Sequence, residues 1–131
     1  MSLAALAVAA VLLSSPQDGH WRGQLEGDEH AAKVSFQVKR DGRRITGFST
    51  TVAAFCVGPT IGTNRLAILV VSVPSAKVRR NGRFKRTYKT DGGTYKIRGM
   101  LRGRRVRDGH VSLNVSTCAG HSLWTARRAD R

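Results

Sequence analysis

The chain has 131 residues, and its 23 Lys and Arg against 8 Asp and Glu give a formal net charge of +15. That length admits one domain with at most a short processing segment. With only four Phe, two Trp and two Tyr, the composition excludes a transmembrane helical bundle, a coiled coil and a large cofactor-binding enzyme.

Residues 1–16 carry no charge, so every charged side chain follows Pro16. Leu3 to Leu13 form an unbroken apolar run, and Ser14, Ser15 and Pro16 follow it. As a helix the run rises about 16 Å, roughly half a hydrocarbon core. It is too short to span a membrane and fits the apolar region of a secretory signal peptide. No Lys or Arg precedes it, and no Cys follows it directly as a lipoprotein would require. An N-terminal core helix would show an amphipathic period, which is absent here. The expected organisation is a signal peptide over 1–16, cut near Ser14 to Gln17, and a single β domain over 17–131, secreted or held at the cell envelope.

Cys56 and Cys118 are the only cysteines. In an oxidising compartment an even count implies pairing, and two residues permit one intrachain connectivity. The closed loop of about 60 residues is worth about 4 kcal/mol in the chain-entropy account. No CxxC, HxH or HxxxH occurs, so a metal site is not expected.

Beyond Pro16 the pattern has period two. Trp21, Gly23 and Leu25 alternate with Arg22, Gln24 and Glu26. Ala32, Val34, Phe36 and Val38 alternate with Lys33, Ser35, Gln37 and Lys39, the clearest half-buried strand in the chain. Asp41-Gly42 predicts a hairpin turn into Arg43 to Thr51, and Gly47 predicts a bulge. Val52 to Val57 carries the first cysteine, and Gly58-Pro59 with Gly62-Thr63-Asn64 marks a loop. Leu66 to Val73 is continuous and apolar, which predicts a strand buried on both faces or at its ends, limited by Pro74. Asn81-Gly82 turns between Lys77–Arg80 and Arg83–Thr90, and Asp91-Gly92-Gly93 turns into Thr94 to Arg102. In that last run Tyr95, Ile97 and Gly99 oppose Lys96, Arg98 and Met100. Gly103 and Asp108-Gly109 bracket a basic connection. Val111, Leu113 and Val115 alternate with Ser112, Asn114 and Ser116. Cys118-Ala119-Gly120 is expected to turn into a final strand, with Leu123 and Thr125 opposite Trp124 and Ala126. The predicted fold class is all-β: an antiparallel meander of eight or nine short strands closed as a barrel or sandwich.

Two resemblances attach to these residues. Gly19-His20-Trp21-Arg22-Gly23, with Trp124 and Arg127 in the last strand, resembles the Gly-x-Trp start and closing Arg of calycin barrels such as lipocalins and avidins. The fuller pattern joins Trp21-x-Gly23, Val34-Ser35-Phe36-x-Val38, Asp41 to Phe48, Cys56 and Asn81-Gly82-Arg83-Phe84. It continues through Ile97-Arg98-Gly99, Cys118-Ala119-Gly120 and Trp124 to Arg128. This pattern resembles a group of small exported β-domain proteins of actinobacteria and covers nearly all of Asp18 to Arg128. The resemblance implies secretion, an all-β domain and a disulfide, and it supplies no catalytic residues. Gly103 fits the pattern, but Arg104-Arg105-Val106-Arg107 stands where the group has small residues.

Most acidic residues fall in turns, where Asp bonds to nearby backbone. Glu26, Asp28, Glu29 and His30 cluster, and are read as a polar hairpin loop rather than a cation site. No G-x-S-x-G, phosphate loop or dinucleotide fingerprint is present. No catalytic activity and no cofactor is therefore expected. Lys77 to Arg107 is more informative: it holds 13 Lys or Arg against one acid, Asp91. On paired strands Arg79, Arg83, Lys85, Lys89, Lys96 and Arg98 are expected to share an outward, polyanion-binding face. The bland alternative is a solvated basic surface. Phe84, Tyr88 and Tyr95 are read as core or half-core residues, which leaves no stacking platform for bases. The expected partner is thus an anionic cell-wall polymer, an acidic polysaccharide or a lipid headgroup, with no dedicated nucleic acid partner. A calycin-like carrier of a small ligand is the alternative function.

Overall fold

A computed structural model of the chain describes residues 17–27, 32–60 and 62–129. The expected signal segment, and Asp28, Glu29 and His30 of the acidic cluster, lie outside the described residues. Eight strands follow in order: β1 (Gly19–Leu25), β2 (Lys33–Lys39), β3 (Arg44–Cys56), β4 (Arg65–Lys77), β5 (Arg83–Thr90), β6 (Gly93–Arg102), β7 (Arg105–Val115) and β8 (Cys118–Arg128). No helix occurs among the described residues.

All pairings are antiparallel, in the spatial order β4-β3-β2-β1-β8-β7-β6-β5. This is an up-and-down meander in which the first strand meets the last. A further pairing joins the ends of β3 and β8, through Phe55 with Ala119 and Cys56 with Cys118. β1, β2, β3 and β8 therefore close a four-stranded ring, and the remaining strands extend from it. β4 and β5 do not pair; an isolated bridge joins Val78, just past β4, to Phe84 of β5.

Local chemistry fixes the joints. The Asp18 carboxylate accepts the backbone N–H groups of Asp41 (3.0 Å) and Gly42 (2.7 Å), pinning the β2–β3 turn to the start of β1. The Trp21 indole N–H donates to the Gln17 carbonyl at 2.6 Å. The register of β2 against β3 slips between Ser35 and Gln37, opposite Gly47 with its φ of 62°, so the expected bulge is present. Asn81 accepts the N–H of Arg83 in the expected Asn-Gly turn.

The period-two faces meet inside. Trp21, Phe36, Phe48, Trp124 and Phe84 form one aromatic cluster with centroid separations of 5.3–6.1 Å. Val34, Val38, Ile45, Val71, Val73, Ile97 and Val111 fill the space around it. Two seams demand glycine. A Cβ on Gly23 would collide with the Thr125 carbonyl oxygen, and one on Gly120 would lie 3.0 Å from the Cα of Ala54. β1 and β3 each approach β8 this closely only because no side chain intervenes.

Four expectations are corrected. Leu66 to Val73 is not buried on both faces: Leu66, Ile68 and Val70 are 73, 68 and 60 % exposed. Pro74 does not end that run, because β4 is an edge strand whose free side needs no proline N–H. The basic stretch from Arg105 is strand rather than connection, with the bulge at Asp108-Gly109 absorbed into β7. The last turn lies at Ser116-Thr117, and Cys118 already belongs to β8.

Candidate functional site

Cross-strand register turns the basic sequence into a two-dimensional array. On the outer face, Lys85 of β5 stands opposite Arg98 of β6, Arg98 opposite His110 of β7, and His110 opposite Leu123 of β8. The next row runs Thr87, Lys96, Ser112, His121, and the one after it Lys89, Thr94, Asn114, Ala119. Directly opposed residues share a face, so these rows form one surface. Arg79 and Arg83 join it beside the Asn81-Gly82 turn and line a cleft with Lys85, Arg98 and His110. Lys89 and Lys96 line the neighbouring cleft with His121. All six residues singled out from the sequence are thus exposed and fall on one continuous face.

The face has its own electrostatics. Among the described residues Asp108 is the one carboxylate lining either cleft. The rings of His110 and His121 stack at 5.8 Å. Burial, then Arg98, then His121 hold the His110 imidazole below its ordinary value, so it is neutral at pH 7. Thr87, Thr94, Ser112 and Asn114 add hydroxyl and amide groups between the cations.

A second basic group escaped the sequence reading. Arg22 of β1 is opposite Arg127 of β8, Arg127 opposite Arg105 of β7, and Arg105 opposite Arg102 of β6. These four exposed arginines make a ladder across four adjacent strands. Arg22, Arg105 and Arg127 line a cleft with Lys33 and Arg107, and no carboxylate among the described residues lines it. Arg22 and Arg127 sit at opposite ends of the domain, and only pairing of the first strand with the last brings them together. That pairing was implicit in a closed meander, but its register was not.

The disulfide links Cys56 and Cys118 as expected, at the β3–β8 pinch. No group of three or more His, Cys, Asp or Glu suited to a metal ion occurs among the described residues. Comparison of the chain with family models, curated proteins and solved structures finds no match.

Proposed function

We propose that this chain is an exported, non-catalytic β domain that binds polyanions at the cell envelope through the outer face of β5–β8. The observation that carries this reading is the shared face: the cations of β5 and β6 stand in register, the rows continue across β7 and β8 through His110, His121 and small polar groups, and Asp108 lies at the margin. A merely solvated surface intersperses charges of both signs. The disulfide and the short apolar N-terminal run support export. The carrier reading has less support. Trp21 is 0 % exposed and stacks on Phe36 instead of lining a cavity, and aromatic rings occupy the middle of the fold.

The test replaces Arg79, Arg83, Lys85 and Lys96 with Gln. Polyanion binding releases counterions, so wild-type retention on an immobilised phosphate polymer or isolated cell wall falls steeply with salt. Each lost phosphate contact lowers the slope of log affinity against log salt by about 0.7–0.9, so the variant is expected to lose up to about 3.6 in slope. Its thermal unfolding stays close to wild type, because all four side chains are exposed. Elution unchanged by the four substitutions removes this face as the site.

A further inference from the structure

We infer that the ladder Arg22–Arg127–Arg105–Arg102 is a phosphate-selective subsite, taking a linear phosphate-bearing chain laid across the strands. The inference rests on the polyanion reading and narrows its ligand class. Neighbouring strands lie about 4.8 Å apart, so the ladder offers one guanidinium per step over about 14 Å. Like charges directly opposite one another on a sheet destabilise it. Here three such pairings follow in succession, and among the described residues no carboxylate lines the cleft of Arg22, Arg105 and Arg127 to offset them. A bound anionic chain would remove that repulsion. The residue type narrows the ligand further. Each rung is Arg, whose planar fork bonds two oxygens of one phosphate, whereas Lys acts as a point charge. The array on β5 and β6 mixes Lys and Arg and suits any polyanion. The ladder suits phosphate.

The experiment keeps the charge and changes the geometry: R22K, R102K, R105K and R127K together. Two probes are used, inorganic polyphosphate and a polyglutamate of matched charge, each across a salt series. The expected result is a loss of roughly tenfold in affinity for polyphosphate with little change for polyglutamate, and a salt slope near wild type for both. A Lys variant that binds both probes as wild type does overturns the ladder and leaves the general polyanion face standing. A wild-type protein that binds neither probe overturns both.

A separate observation concerns the opposite half of the molecule. Residues 45–76 contain a single charged side chain, Arg65, in a chain of net charge +15. This segment is the β3–β4 hairpin, whose outer side shows Phe55, Leu66, Ile68 and Val70, with Phe55 paired to Leu66. Along Arg65 to Val73 the outer backbone edge of β4 has no partner strand among the described residues. We propose that a second copy of this chain covers it, β4 against β4 about a two-fold axis. An isologous contact needs a self-complementary surface, and an antiparallel strand edge is one. Charge selects the copy and the place: the two basic faces described above would bring cations together, and this one keeps them pointing away. Sedimentation equilibrium up to roughly 100 µM should show a monomer–dimer equilibrium for wild type and a monomer for I68K with V70K, with thermal unfolding of the diluted proteins nearly equal. A wild type that is monomeric throughout, or a variant that still dimerises, overturns the interface.

Discussion

Replacing Gly23 with Val is expected to leave no stable folded state at 25 °C. β1 meets β8 over Trp21 to Leu25, and this seam joins the first half of the meander to the second. At its centre Gly23 lies opposite Ala126, and an added Cβ would strike the Thr125 carbonyl and sit 2.6 Å from the Ala126 Cα. The obstruction is backbone, so no rotamer change relieves it. Either the seam opens or the strands shift. A register shift would turn Trp21 and Leu25, 0 % and 4 % exposed, toward solvent. Fully burying one such side chain is worth about 1.5–3 kcal/mol, so displacing the pair removes much of the 5–15 kcal/mol that holds a domain this size. Gly92→Ala is the control. A Cβ there meets nothing within 4 Å, and the change should stay within about 0.5 kcal/mol. Urea unfolding followed by circular dichroism decides the matter: a Gly23→Val midpoint equal to wild type would show that the seam does not need the glycine.

Gly23 also shows what the sequence could and could not disclose. The alternation of Trp21, Gly23 and Leu25 with Arg22 and Gln24 identified a strand and its buried face, because burial on one side writes a period of two into the residues. The same rule located Val34, Phe36 and Val38 correctly inside, and the chemistry of Asp41-Gly42 and Asn81-Gly82 placed two turns. What alternation omits is which strand lies beside which. Leu66 to Val73 looked like an interior strand because apolar residues stand at both parities. Only the topology shows that β4 ends the sheet, with Val71 and Val73 buried and Ile68 and Val70 exposed.

The candidate site divides along the same line. The basic face was legible because Arg83, Lys85, Lys89, Lys96 and Arg98 come from the consecutive strands β5 and β6 and Arg79 from the turn before them, and local turns fix register. The ladder was not, because Arg22 and Arg127 meet through a pairing between residues 105 positions apart. His110 and His121 lie on strands joined by a short turn, yet their stacking depends on a diagonal across the β7–β8 register that no spacing rule supplies.

Loss of the Cys56–Cys118 bridge is expected to cost about 4 kcal/mol, from the entropy that a loop of this length returns to the unfolded chain. With the sequence separation of 62 this is a large share of the stability of a domain this small. The folded state adds a local effect. β3 and β8 pair at two residues only, and one of those pairs is the cystine itself. Beyond it, Val57 donates its N–H to the Thr117 carbonyl and Phe55 is half exposed, so little else holds the pinch shut. Gly120 permits the close approach to Ala53 and Ala54 without enforcing it. Two changes should therefore follow substitution of both cysteines by Ser. The urea midpoint falls and the slope of unfolding rises, because the uncrosslinked chain exposes more surface. Amide exchange quickens first at the ends of β3 and β8, before global unfolding. The row of Lys89 abuts the pinch at Ala119, whereas the row of Lys85 and Arg98 meets β8 farther along at Leu123, so retention on an anionic polymer below the unfolding temperature should be largely kept. A Ser variant with an unchanged midpoint would show that the eight-stranded core suffices alone, and one that folds but loses retention would tie the basic face to the bridge.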